Sequence, residues 1–170
     1  MNVYDFAIKM ELDGRAFYEK LARETELAGL KSVFSQLAAD ERKHYGVILA
    51  LKSQARPAVM ENTPALEQAK NVFEDLLARK KTIGPVKGDL GAYSHAMDLE
   101  VDSFRLYEGA AEKEKDQDVK ELLLRIAGEE HKHFNILQNI YDFVNAPAQY
   151  LAWGEFSNVG EFHQFGRRVD

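Results

Sequence analysis

Apolar residues recur at helical spacing through four long stretches of the chain and one shorter one. Between residues 2 and 28 the stripe Tyr4, Ala7, Ile8, Glu11, Gly14, Tyr18, Leu21 and Ala22 shares one face, with polar residues between. This predicts an amphipathic helix of about seven turns. Gly29 offers a break, and a second helix is expected over 30–54 with Val33, Phe34, Leu37, Ile48 and Leu51 facing inward. So short a join requires the two helices to lie antiparallel. Pro57 and Pro64 bracket a linker, Thr63-Pro64 signals a helix start, and Leu66, Ala69, Val72, Phe73, Leu76 and Leu77 carry a shorter helix to about residue 81. The Gly- and Pro-containing stretch 82–91 reads as loop. This middle section is too long for a hairpin turn and is expected to cross to the other end of a bundle. A third long helix is predicted over 92–115, with Tyr93, Ala96, Met97, Glu100, Ser103, Phe104, Tyr107, Ala110 and Ala111 inward, and a fourth over 118–144, with Leu122, Leu123, Ile126, Leu137 and Ile140 inward. Residues 1–146 thus form one all-α four-helix bundle. The tail 147–170, with Tyr150, Trp153, Phe156, Phe162 and Phe165, is apolar enough to pack on the bundle or on a partner subunit, which makes a homodimer the expected assembly.

Ionisable groups interrupt these stripes in a repeated way. Asp40-Glu41-Arg42-Lys43-His44 and Glu129-Glu130-His131-Lys132-His133 each place a Glu three residues before a His, on the face that carries the core. The two halves match at a constant offset of 89 residues: Glu11 falls on Glu100, Asp13 on Asp102, Tyr18 on Tyr107, Glu19 on Glu108, Glu41 on Glu130, Lys43 on Lys132 and His44 on His133. At ~1.5 Å rise per residue, Glu11 and His44 stand at nearly the same height on their two helices. The chain therefore reads as a duplicated helical hairpin joined by a long crossover, and each half brings one Glu and one Glu-x-x-His to the middle. Burying such charges costs several kcal/mol apiece unless they are paired or bind metal. A Glu from each of two helices and a Glu-x-x-His from each of two others is the ligand set of di-iron and di-manganese carboxylate bundles. Four carboxylates with two divalent cations are close to neutral. Oxygen ligands with two imidazoles suit iron or manganese, and zinc is compatible with the same types.

Composition narrows the classes further. With 170 residues, 45% of them hydrophobic, the chain can bury one sizeable core. The absence of Cys rules out disulfides, iron–sulfur clusters and thiolate zinc. The net charge of −6 argues against nucleic acid as the main partner. No stretch approaches the ~20 apolar residues of a membrane span, and the first residues do not read as a signal sequence, so a cytoplasmic location is expected.

With these residues in view, the chain resembles the ferritin-like superfamily, and the rubrerythrins in particular, over residues 3–54 and 92–144. The resemblance implies a ferritin-like bundle with Glu11, Glu41, His44, Glu100, Glu130 and His133 as ligands to two iron ions, Glu41 and Glu130 bridging. It also implies a non-haem di-iron oxidoreductase that reduces hydrogen peroxide or dioxygen. Two departures stand out. Rubrerythrins carry a Cys-ligated rubredoxin domain, for which this chain has no cysteines, so electrons are expected from an external donor. They also carry an extra Glu one turn after the lone Glu of the third helix. That position here is Ser103, and its repeat mate is Gly14, which leaves a set closer to the bacterioferritin site. A ferroxidase that handles iron, and a bundle whose metal is a structural staple, are the alternative readings.

Other residues carry two readings each. Tyr18 and Tyr107 are candidates to hydrogen-bond the metal carboxylates, or core tyrosines. Asp40 and Glu129 either orient the histidine of the opposite motif or face water. Gly14 and Ser103 leave room for an oxidant or let helices pack closely. His131 is expected to face solvent, the charged run 112–118 is expected to be a solvated turn, and His95 and His163 have no assigned role.

Overall fold

The computed structural model of the chain describes residues 2–55, 60–79 and 86–156, with side chains as far as Ala152. Six helices follow one another among the described residues, with no strand: α1 (Val3–Glu24), α2 (Ala28–Lys52), α3 (Ala65–Ala78), α4 (Leu90–Lys113), α5 (Gln117–Asn145) and α6 (Pro147–Phe156). α1 packs along α2 and α4 along α5, giving the two expected hairpins, and α3 lies across α2 and α5. The expected all-α bundle of two hairpins is thus present.

Local chemistry sets the helix limits. Asn2 caps α1 by accepting from the Asp5 amide at 2.9 Å. Asp116 caps α5 by accepting from the Asp118 and Val119 amides. α2 ends where Gln54 takes φ 57 and the Ala55 amide reaches back to the Ala50 carbonyl at 2.9 Å, a left-handed cap that satisfies a terminal carbonyl.

Gly29 does not break the chain. The turn between α1 and α2 is Thr25–Leu27, and Gly29 lies in the first turn of α2. A Cβ there would sit 2.7 Å from Val72 Cγ1, so the glycine lets α3 approach α2 closely. Gly29 serves close approach rather than a turn, the second of the two uses of a residue without a Cβ.

The apolar core is split in two. One cluster, with Phe34, Leu37, Phe73, Tyr93, Phe134, Leu137 and Phe143, fills one end of the bundle. The other, with Val47, Ile48, Met60, Phe104, Leu123 and Ile126, fills the other end. The ionisable groups occupy the layer between them. α6 returns against α3 and α5: Tyr150 is buried, its ring 5.1 Å from that of Phe73, and its hydroxyl donates to Asn139 Oδ1 at 2.9 Å. Burial pushes the Tyr150 phenol well above its ordinary value. The pattern after Pro147 carries no helical period, yet the chain forms α6 there. The tail positions Trp153 and Phe156 lie outside the described side chains, and Phe162, Phe165 and His163 outside the described residues.

Candidate metal centre

Four helices each deliver part of one buried cluster. Glu11 comes from α1, Glu41 and His44 from α2, Glu100 from α4, and Glu130 and His133 from α5, and all six are buried. They form two overlapping groups whose ligand atoms lie within 4.8 Å of one another: Glu11, Glu41, His44 and Glu130, and Glu41, Glu100, Glu130 and His133. Glu41 and Glu130 belong to both. His44 Nδ1 stands 3.5 Å from Glu11 Oε2 and 3.4 Å from Glu130 Oε1. His133 Nδ1 stands 3.1 Å from Glu41 Oε1, 3.4 Å from Glu100 Oε1 and 3.2 Å from Glu130 Oε2.

The far nitrogen of each imidazole is held from behind by the opposite half. His44 Nε2 donates to Glu129 Oε2 at 2.6 Å, and His133 Nε2 donates to Asp40 Oδ2 at 2.9 Å. With the Nε2 proton so engaged, the Nδ1 lone pair is left for the interior. Of the two readings of Asp40 and Glu129, the structure carries the first: both are buried and each grips the histidine of the other repeat. The tyrosines cross over in the same way. Tyr18 donates to Glu100 Oε1 and Tyr107 to Glu11 Oε1, so each ties down the lone Glu of the other half.

One contributor had no signal in the repeat. Thr63, in the crossover just ahead of α3, donates from Oγ1 to Asp40 Oδ2 and from its amide to Glu129 Oε1 at 3.1 Å. It therefore clamps both carboxylates that hold the histidines. Lys43 Nζ adds contacts to Glu129 Oε1 at 3.0 Å and to the Glu61 carbonyl at 3.1 Å. The side of the cluster behind the histidines is closed by this network. Sequence marked Thr63 only as a helix start, which it also supplies by accepting from the Ala65 amide at 3.1 Å.

His131 departs from expectation. It is half-buried rather than facing solvent, its ring centroid 3.6 Å from that of Phe104, and burial pushes it down to about 4. A residue 100° around the helix from a core position still touches the core flank when a large aromatic side chain lies beside it. His95 is exposed, edge-on to Phe17 at 5.8 Å.

Within the cluster the charges are not balanced by protein groups alone. Six atoms are buried without a hydrogen-bond partner: Glu11 Oε2, Glu41 Oε1, His44 Nδ1, both carboxylate oxygens of Glu130, and His133 Nδ1. All six belong to the ionisable groups that the sequence pattern brought together, and all six make the close approaches given above. Oxygen and imidazole lone pairs converging in a dry layer is what cations require and what protein alone does not tolerate. The donor set therefore fits bound metal.

The pKa shifts express the same imbalance. Burial, followed by the neighbouring carboxylates Glu130, Glu11 and Glu100, pushes the Glu41 carboxyl well above its usual range. Burial and Glu130 push Glu100 up to about 8. Burial also works to raise Glu130, but the charges of His44 and His133 outweigh it and hold that carboxyl low. Burial disfavours charge on the imidazoles, yet Glu130 and Glu11 raise His44, and Glu100 and Asp40 raise His133, well above the ordinary histidine value. Protons thus occupy the cluster wherever cations do not. Cations would have to displace them, so metal affinity would fall as the pH is lowered. We expect calorimetric titration of the metal-free protein with cobalt(II) at pH 7 to release at least about one proton per chain. The observed heat should differ between two buffers of unlike ionisation enthalpy, and equal heats would contradict this.

A family model described as Rubrerythrin matches residues 2–141. No curated protein and no solved structure matches the chain. Among the described residues no helix is long and apolar enough to cross a membrane.

Proposed function

The chain belongs to the rubrerythrin family, and from that premise we propose that it is a di-iron carboxylate oxidoreductase reducing hydrogen peroxide or dioxygen with electrons from an external donor. The observation that carries the reading is the set of six inward-facing, unpartnered atoms shared between two overlapping groups. Glu41 and Glu130, common to both groups, would help to hold both ions. Glu11 with His44 would complete one position and Glu100 with His133 the other. Bound iron would supply one electron per ion, so that peroxide plus two electrons and two protons gives two waters.

The protein's own part is positioning and exclusion. Asp40 and Glu129 fix the histidine tautomers, so both Nδ1 atoms stay directed inward. Tyr18 and Tyr107 hold a phenolic proton against Glu100 and Glu11, which limits how far those carboxylates swing. Burial, then the charges of Glu100 and Glu11 respectively, keeps both phenols protonated. The two apolar clusters on either side keep bulk water from the layer.

The test is stopped-flow mixing of the anaerobic ferrous protein with peroxide and, separately, with dioxygen. Oxidation by at least one of them faster than that of ferrous ion in the same buffer is expected. Equal rates for both would remove the oxidoreductase reading. Ser103, standing where rubrerythrins have their extra Glu, favours a second reading, a ferroxidase that handles iron. That reading needs a hollow assembly, and a dimer-sized particle in gel filtration would end it.

A further inference from the structure

The cluster is not enclosed equally on all sides. Behind the histidines it is closed by Asp40, Glu129, Thr63 and Lys43. On the opposite side, between α1 and α4, a small cleft of about 60 Å3 reaches inward. Its walls include Gly14, Phe17 and Ser103, and it reaches Tyr18, Glu41 and Glu100. Glu41 and Glu100 are themselves buried, and Glu41 Oε1 has no hydrogen-bond partner. Gly14 is what leaves the Glu41 end open, because a Cβ there would lie 2.9 Å from Glu41 Oε2.

The cleft also breaks the symmetry of the duplication. Glu100 belongs to the group completed by His133, and neither Glu11 nor His44, which complete the other group, lines the cleft. The cleft holds a few water-sized molecules. A diatomic or a peroxide fits there, and a bulky branched or aromatic carbon skeleton does not.

We propose that this cleft, held open by Gly14 and Ser103, is a port through which small oxidants reach the metal pair, that it opens on the Glu100 side of the pair, and that it excludes bulky organic hydroperoxides. The proposal rests on the di-iron reading above and adds to it a direction of approach and a limit on substrate size.

Nitric oxide, neutral and diatomic, is the probe, because its binding to ferrous protein is read from the visible spectrum without any turnover. Ser103→Leu fills the cleft from α4, and Leu99→Trp, on the same wall, is the second variant should the first load poorly. In variants with wild-type iron content and melting temperature, nitric oxide should bind at least about tenfold more slowly than to the wild type. Unchanged rates in both variants would overturn the port. In the wild type, cumene hydroperoxide should oxidise the ferrous protein at least about tenfold more slowly than hydrogen peroxide, and equal rates would overturn the size limit. If neither peroxide nor dioxygen oxidised the ferrous protein, the oxidoreductase reading would fail while the nitric oxide arm still decided the port.

Discussion

Replacing Glu130 by Ala is expected to abolish the metal pair as a whole. Glu130 is 0% exposed, and its two oxygens face the two histidines separately, Oε1 to His44 and Oε2 to His133. Its removal takes a ligand from both positions at once. The loss should therefore exceed the ~10–100-fold in affinity that deleting an outer partner brings, and iron per chain should fall from two to nearly none. The helices should persist, since no apolar contact of either core cluster is deleted and the far-UV dichroism has little reason to change. Melting temperature supplies a second readout. Metal at about 100 times its dissociation constant stabilises the wild type by ~2.7 kcal/mol, which for a chain of this size is roughly 5–11 °C. Added metal should leave the variant's melting temperature where it was. Retention of two ions per chain by Glu130→Ala would mean that the ions sit elsewhere.

Asp40→Ala is expected to cost about 10–100-fold in affinity at one position while leaving the other nearly intact. Asp40 touches no proposed ligand atom on the inner side. It accepts from His133 Nε2, and it is itself held by Thr63 and by Gln36 at 3.0 Å. Without it the imidazole is free to rotate or to place its proton on Nδ1, the atom meant to face a cation. Chelator competition should resolve one weakened and one normal site, and Asp40→Asn, which still presents an acceptor oxygen, should recover part of the loss. Because the grip crosses between halves, Glu129→Ala should weaken the site that contains His44 instead. Equal weakening of both positions by Asp40→Ala would point to general loosening rather than to an oriented histidine.

How far the sequence reached follows from what repeats and what does not. The bundle was legible because the apolar stripes keep helical period through four long stretches. The six-residue cluster was legible because Glu11, Glu41 and His44 return 89 residues later as Glu100, Glu130 and His133. Asp40 and Glu129 keep the same offset, but one-dimensional pattern could not say that each reaches across to the other half, since that depends on how the hairpins face. Thr63 has no repeat mate, because the crossover that carries it was not duplicated, and its two hydrogen bonds come from tertiary placement. Gly29 and His131 were misjudged for a related reason: what each meets, Val72 in one case and Phe104 in the other, lies on a different helix. α6 gives little periodic signal, and among the described side chains Tyr150 and Leu151 attach it to the core, with the Tyr150 hydroxyl on Asn139.

The claim beneath all of this is that six side chains from duplicated hairpins hold two cations between two apolar layers. Anomalous diffraction at the iron edge, from crystals loaded anaerobically with ferrous iron, addresses it directly. Two peaks per chain are expected, both in reach of Glu41 and Glu130, one beside His44 and one beside His133. Peaks confined to the surface, or none within the bundle, would contradict it.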